Sequence, residues 1–449
     1  CSKIKSKLCV MPKKKMKVAW ICHFSNEKVR EKLPLSKRIF LNRLKKLLGM
    51  QPYVYSDFAP WVNNLITEFE KFEDVELHII APHAGLSPFK YSFEMNGIYY
   101  HFFRPELPLR FDILVSRLPH QEKRRFLLNK LWVRQFIKEI QPDVVNLIGT
   151  ENPYYSITVL DIKDIPVYVS AQTVYTNPDR KKLSGICDRL CWNTELKIHH
   201  KEKYYGCSGR MHRDLILRNN PDAMIFKNFF PIQHPGNIKE VEKEFDFVYY
   251  AQHVSAKKGI EDAIDALSIV KKEKPDVTFK VVGNCSPNYR DFLNEKISSL
   301  GLTENISFHD YFPVHSDMHQ YIKKAKFALL PVKLDVIPGT VIEAMLLELP
   351  VVTYKTTGTP YLNKNGETVL ISEIGDIEHL AANMLKLLDS PELAEQLKKK
   401  AKAFVEKEFD NTASAKRLVE DYKAVIAHYH DGTPIPKELL FDLNEFPIY

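Results

Sequence analysis

The chain has 449 residues, 45% of them hydrophobic, with 27 prolines, 16 glycines and a formal net charge of +8, which excludes a disordered chain, a collagen-like repeat and a disulfide scaffold. The charge is polarised: residues 1–235 hold 38 Lys+Arg against 23 Asp+Glu, a surplus of +15, and residues 236–449 hold 26 against 33, or −7. Such an asymmetry predicts an anionic partner for the front half, with nucleic acid, a membrane surface and an acidic substrate all open.

In chain order, residues 1–15 read as a basic extension, with Met11 and Met16 just ahead of the first strand. KVAWIC (17–22) reads as a buried strand. A helix over about 59–72 leads into VELHII (75–80), another over 122–140 leads into DVVNLIG (143–149), and PVYVS (166–170) follows. Strands alternating with helices of this length predict a parallel, doubly wound sheet. FFPIQHPGNIKEVEKE (229–244), with two prolines and a charged end, reads as a linker, after which the rhythm restarts. Strands are expected at 246–251, 279–283, 306–311, 327–332 and 350–354. Helices are expected between them and at 377–389, 391–407 and 411–430. The predicted organisation is an acceptor-side domain over 16–235, a second parallel-sheet domain over 236–409, and a C-terminal helix and tail over 410–449 that cross back to the first domain. In two such domains facing across a cleft, ligands bind beside the carboxyl ends of the strands.

Seven cysteines, an odd number in a chain large enough to bury a core, suit reduced thiols in a cytoplasm. Cys187 and Cys191 have the wrong spacing for a zinc knuckle, and His199 and His200 do not complete a tetrahedral set. No apolar run approaches the ~18 residues of a membrane span, and no secretory h-region is present.

The most informative stretch is Asp335-Val-Ile-Pro-Gly-Thr-Val-Ile-Glu343, where a strand runs through a Pro-Gly turn into a helix. A helix start offers free N–H groups and a positive dipole end to an anion, and Gly339 lets a phosphate approach the backbone near Thr340. Two carboxylates eight residues apart suit the hydroxyls of a sugar and a ribose, since one carboxylate accepts two hydroxyl hydrogens. Here the sequence resembles the family 4 retaining glycosyltransferases with the two-Rossmann GT-B fold, in the Glu-x7-Glu pattern as its Glu-Gly-x-Pro variant. Ala251-Gln-His253 and Lys258-Gly259 fall on that family's Gly-Arg and Lys-Gly. Val282-Gly283-Asn284 falls on its Val-Gly-x loop, His309-Asp-Tyr311 on its Leu-Gly-Phe turn, Thr357-Gly358-Thr359-Pro360 on Gly-Gly-x-Pro, and Asn365-Gly366 on Asn-Gly.

The resemblance implies α/β architecture with two Rossmann-like parallel-sheet domains facing across a cleft. It also implies transfer of a hexose-type sugar from a nucleotide diphosphate sugar to a glycan or lipid-linked acceptor with retention, in cell-surface polysaccharide biosynthesis. Catalytic roles fall to Lys258, Asp335 and Glu151. Donor contacts fall to His253, Gly283, Tyr311, Gly339, Thr340 and Glu343. Negative charge growing on the leaving phosphate would be met by Lys258 and the amides near Gly339 and Thr340. No cofactor and no metal are expected, since no Asp-x-Asp motif stands at a strand end.

The departures from the family lie at Asp335, shorter by one methylene than Glu, at Val336 in place of Gly, and at His253 in place of a phosphate-binding Arg. Gln172-Thr173 replace a His-Asp pair, and His23-Phe-Ser replaces a Gly-rich loop. These changes motivate one alternative, a weakened glycosyltransferase-like subunit of a glycan-assembly complex; a nucleotide-sugar epimerase of the same fold is another.

The positive charge has its own candidate. Residues 35–48 place Leu35, Ile39, Phe40, Leu44, Leu47 and Leu48 mainly on one helical face with Lys37, Arg38, Lys45 and Lys46 elsewhere, a basic amphipathic helix suited to an anionic membrane surface. Lys130, Arg134 and Lys138 form a similar stripe on the helix over 122–140, for which packing on the sheet is the favoured reading. No nucleic-acid module emerges. The expected location is cytoplasmic, peripheral on the inner face of the membrane.

Overall fold

A computed structural model describes residues 14–36, 47, 57–106, 125–177, 186–236, 238–312, 314–335 and 337–445. The chain folds as two compact units. Unit 1 takes in the described residues of Cys1–Gly206, Leu215–Phe226 and Ala415–Leu440, and unit 2 those of Cys207–Asp214, Lys227–Ser414 and Phe441–Tyr449.

The first sheet is fed by β1 (Met16–Ile21), α1 (Glu27–Lys32), α2 (Pro60–Phe69), β2 (Val75–Pro82), β3 (Lys90–Met95), β4 (Ile98–Phe103), α3 (Leu127–Ile140), β5 (Val144–Ile148), α4 (Pro153–Ser156), β6 (Val167–Ser170), α5 (Ile186–Lys201), β7 (Tyr204–Cys207), α6 (Arg210–Asn219) and β8 (Met224–Lys227). Its eight strands lie in the order β3-β4-β2-β1-β5-β6-β7-β8. β1 pairs in parallel with β2 and β5, and β5 with β6. β5 is buried at every residue, as expected for a parallel strand covered on both faces.

The hairpin β3–β4 is a feature the periodicity of the sequence does not announce. It is antiparallel, and Asn96-Gly97 turn it with φ of 54° and 77°. Positive φ at both central residues matches strand twist, which is why Asn-Gly is favoured there. β3 lies at the sheet edge and is half-buried to exposed along its length, so its apolar residues do not form a run. β7 and β8 are four residues each and equally unannounced.

The second sheet has β9 (Phe245–His253), α7 (Ile260–Glu273), β10 (Phe279–Asn284), α8 (Pro287–Ser299), β11 (Ile306–His309), α9 (His315–Ile322), β12 (Ala325–Leu330), α10 (Gly339–Leu346), β13 (Val351–Tyr354), α11 (Thr359–Leu362), β14 (Leu370–Ser372), α12 (Ile377–Asp389) and α13 (Pro391–Glu408). The order is β11-β10-β9-β12-β13-β14, and every pairing is parallel. Every strand expected from the sequence in this half is present, and β14 is added. The core under α7 gathers Ile260, Ile264, Leu267, Phe279, Leu329 and Tyr354. Burial of such side chains, at ~25 cal/mol per Å² of apolar surface, holds the helices on the sheet.

α14 (Asn411–Asp431) belongs to unit 1 from Ala415 onward. There Asn146 Nδ2 donates to Tyr422 Oη at 2.7 Å, and Tyr168 Oη donates to Asp421 Oδ2 at 3.0 Å. Burial pushes the Asp421 carboxyl up to about 8.

The amphipathic reading of 35–48 lies outside the described residues except at Leu35, Ser36 and Leu47, as does Val336. α3 starts at Leu127, where Glu106 accepts the N–H groups of Phe126 (3.0 Å) and Leu128 (2.6 Å) and so caps the helix from a loop. Of its basic stripe, Lys130 and Arg134 both face Asp161, at 3.7 and 3.1 Å. No helix among the described residues is long and apolar enough to cross a membrane.

Candidate active site

In each sheet the parallel strands end at one edge, so the loops that follow them collect chemistry there. In unit 2 the turn Ala256–Lys258 follows β9, and Gly259 starts α7 with φ of 79°. A Cβ on Gly259 would stand 1.8 Å from the carbonyl oxygen of Pro331, so only glycine lets this turn reach the end of β12. Lys333 N then donates to Lys257 O at 3.1 Å. The two loops are thereby fixed against each other, and Lys258 Nζ meets Asp335 Oδ2 at 2.8 Å. Both side chains keep about a third of their surface exposed, at 36% and 32%. An ammonium with three protons and a carboxylate with several lone-pair sites each keep capacity for a ligand after forming that contact.

Four residues beyond Asp335, α10 begins with Pro338 as its cap, whose side chain makes no capping hydrogen bond. Gly339 is exposed, and a Cβ on it would have nothing within 4 Å, while Thr340 is half-buried. Tyr250 Oη donates to Thr340 O at 2.5 Å, which ties the first turn of α10 to β9. The helix start therefore presents its amides from a fixed position, the arrangement an anion requires. Glu343 lies one turn further, its side chain 17% exposed, with His315 and His319 of α9 at 3.7 and 3.9 Å.

His253 is exposed at the end of β9, in register with Asn284 of β10. Gly283 has φ of 139°, and a Cβ there would stand 1.9 Å from Ala251 O. The glycine thus permits the irregularity between Val282 and Asn284 where the two strands separate. Tyr311 is 44% exposed beyond β11, next to His309, whose ring stacks on Phe312 with centroids 4.3 Å apart.

In unit 1 the corresponding edge is built differently. Gly149 has φ of 80°, and a Cβ would meet the Glu151 carboxylate at 2.6 Å and Gln172 Oε1 at 2.9 Å, so both side chains fold over the glycine. With its amide turned to suit its neighbours, Gln172 donates to Glu151 Oε1 at 3.1 Å and accepts from Trp61 Nε1 at 2.7 Å. His23, after β1, lies against the ring of Phe58 at 4.5 Å, and its Nδ1 bonds the Tyr154 hydroxyl. Burial, helped by His83, pushes the His23 imidazole down to about 4, so it is neutral at neutral pH. Below these groups Thr150 Oγ1 and Thr176 N donate to the buried Glu195 at 2.6 and 2.7 Å and hold the two loops. Burial raises the Glu195 carboxyl.

Of the residues singled out from the sequence, Lys258 and Asp335 are in direct contact, Thr340 and Glu343 share one helix, and Glu151 and Gln172 form a pair. The sequence reading missed Trp61, Tyr154 and Glu195 in unit 1 and His315 and His319 in unit 2. The i, i+4 spacing of the two histidines is a signal that could have found them.

The pattern of the family described as glycosyl transferases group 1 matches residues 235–404. That match lies within the second unit. The chain is 22% identical over 323 residues to an uncharacterized glycosyltransferase of Haemophilus influenzae, covering 70% of this chain and 84% of that protein. It is 26% identical over 177 residues to the capsular polysaccharide biosynthesis glycosyltransferase CapM of Staphylococcus aureus, covering 39% of this chain and 46% of that one. The structure of Anabaena HepE in complex with UDP superposes with a TM-score of 0.60 over 91% of this chain and 99% of that one, at 14% identity. The fold is the GT-B architecture, and the residues that match the group 1 pattern, 235–404, include the second sheet.

Proposed function

We propose that this glycosyltransferase of the group 1 type moves a hexose-type sugar from a nucleotide diphosphate sugar to a glycan or lipid-linked acceptor, with retention, in the making of a cell-surface polysaccharide. The observation that carries the reading is the Lys258–Asp335 contact at 2.8 Å, four residues ahead of the start of α10. Lys258 and the amides of Gly339 and Thr340 would hold the diphosphate and meet the charge that grows on it as the anomeric bond breaks. Asp335 would take the sugar's hydroxyls and Glu343 the ribose, with His253, Gly283 and Tyr311 lining the donor. No metal is assigned to the diphosphate, because protein cations and amides suffice for it. Glu151, oriented by Gln172, would position the acceptor hydroxyl. Retention follows if the leaving phosphate takes the acceptor's proton on the face from which it departs. The UDP complex of HepE and the capsular role in the name of CapM support a UDP-sugar and a polysaccharide.

The acceptor's lipid carrier accounts for the front-half charge, with residues 35–48 as the attachment to an anionic inner membrane face. Thermal unfolding across UDP-, GDP- and ADP-sugars identifies the donor, since a ligand at a hundred times its Kd raises stability by about 2.7 kcal/mol. Transfer from the stabilising donor, slowed about 10²–10³-fold in Lys258→Ala, is the expected result. No turnover of any donor, or an epimerised nucleotide sugar formed without acceptor, overturns the proposal. Anionic vesicles should bind the protein and not a variant with Lys37, Arg38, Lys45 and Lys46 changed to Glu; equal binding by both removes the membrane assignment.

A further inference from the structure

α9 carries His315 and His319 four residues apart, so both rings lie on one face of the helix, their centroids 4.3 Å apart. α10 brings Glu343 to that face. His315 Nε2 stands 3.7 Å from Glu343 Oε1, and His319 Nε2 stands 3.9 Å from Glu343 Oε2. Neither separation is a hydrogen bond. His319 is only 1% exposed, yet its Nε2 has no hydrogen-bond partner among the described residues, and nor has His315 Nδ1. A buried imidazole nitrogen that faces a carboxylate without bonding anything calls for a partner between them.

A cation supplies that partner. The three ligand atoms, one from each residue, lie within 4.8 Å of one another. A tetrahedral ion about 2.0–2.1 Å from each ligand would set those atoms roughly 3.4 Å apart, so the three side chains would draw in around the ion. Two imidazoles on one helical face with a carboxylate suit zinc, cobalt or nickel, whereas magnesium and calcium prefer all-oxygen shells.

We propose that His315, His319 and Glu343 form a binding site for one divalent transition ion of the zinc class, with the remaining coordination position open. The ion is distinct from any diphosphate counter-ion, because the carboxylate that holds it is the one assigned above to the donor's ribose. Ion and nucleotide therefore exclude each other, a consequence that rests on the proposed function, whereas the ion site itself does not.

The test uses the full chain stripped with a chelator and titrated with Co²⁺, followed by its visible d–d absorption and by calorimetry. One Co²⁺ per chain is expected, with the bands of nitrogen and oxygen ligation and no strong thiolate charge-transfer absorption. His315→Ala/His319→Ala should lose more than about a hundredfold in affinity, since outer-shell changes alone commonly cost 10–100-fold. His319→Gln serves where the double variant does not fold, and thermal unfolding without metal checks each variant. Co²⁺ binding that is absent, unchanged in the variants, or marked by thiolate bands overturns the site. If the variants lose Co²⁺ but UDP does not compete with it in the wild-type protein, the ion site stands and the assignment of Glu343 to ribose falls.

Discussion

The strand ends of the two sheets collect polar groups in opposite states. In unit 2 they are charged and partly open to water: Lys258 and Asp335 are each about a third exposed, and Pro338 makes no capping hydrogen bond at the start of α10. In unit 1 they are half-buried and bonded to one another. His23 is held neutral among aromatic rings, and Gln172 bridges Glu151 to Trp61. An ammonium and helix-start amides partly open to water suit a phosphate arriving from solution. The arrangement in unit 1 suits the orientation of a neutral hydroxyl by groups whose own positions are already set. On the proposed assignment, the difference teaches that the two halves of the reaction would be prepared by different physics, ionic on one side and steric on the other.

The largest effect should come from the charged side. Lys258→Ala removes the one side-chain cation assigned to the leaving diphosphate, and loss of a single such donor commonly lowers kcat by about 10²–10³. Steady-state transfer with a radiolabelled donor measures it. A rate within about threefold of wild type would mean that the amides of α10 carry the anion alone, and the ionic half of the comparison would collapse to a backbone effect.

Next in size is a change at the backbone that aligns Lys258 with Asp335. Gly259→Ala puts a Cβ 1.8 Å from Pro331 O at a φ of 79°, and a strained position of this kind costs about 1–3 kcal/mol before the clash is counted. Gly339→Ala is the control, because a Cβ there meets nothing within 4 Å. Urea unfolding should separate the two by roughly 3 kcal/mol. Equal stabilities would show that the loop from Pro331 yields freely, and the fixed pairing of Lys258 with Asp335 could not then be a consequence of Gly259.

The same contrast explains what could be read from residue order. Unit 2 places its chemistry on strand ends and one helix start, so Asp335, Gly339, Thr340 and Glu343 lie within nine consecutive residues and form a local pattern. Lys258 joins them only across the sheet, yet Gly259 beside it marks the turn. Unit 1 assembles its edge from β1, β5, β6 and α2, and Trp61, Tyr154 and Gln172 are far apart in the chain. No spacing rule links them, because the contacts are made by sheet order. β3 escaped notice for a related reason: at an edge it has no buried face long enough to set a period. The buried Glu195 is illegible for another. Its place among Thr150 and Thr176 depends on α5 crossing beneath two loops.

The half-buried side has a signature in pH. His23 in the folded protein titrates near 4 rather than at the ordinary 6.5. Below 6.5 the unfolded chain takes up a proton that the folded chain refuses, so the stability this residue contributes is complete above 6.5. It falls as the pH drops toward 4, by up to about 1.4 kcal/mol per pH unit. The difference in stability between wild type and His23→Asn, followed by urea unfolding between pH 7 and 4, should shrink with that slope. A parallel pair of curves would mean that the imidazole is wet and charged, like the groups of unit 2.

The smallest effect separates the two sides most cleanly. Tyr154→Phe deletes the hydroxyl that bonds His23 Nδ1 and keeps the ring that packs on it. The loss of one such bond costs about 1 kcal/mol in stability. Its functional consequence should fall on one side only, because that hydroxyl orders the edge of unit 1, whereas the donor is assigned to the ionic groups of unit 2. The thermal shift produced by the nucleotide sugar should match that of wild type, while KM for the acceptor rises. If the donor shift falls as far as it does in Lys258→Ala, the aromatic cluster is part of donor recognition, and the division between an ionic and a steric side is wrong.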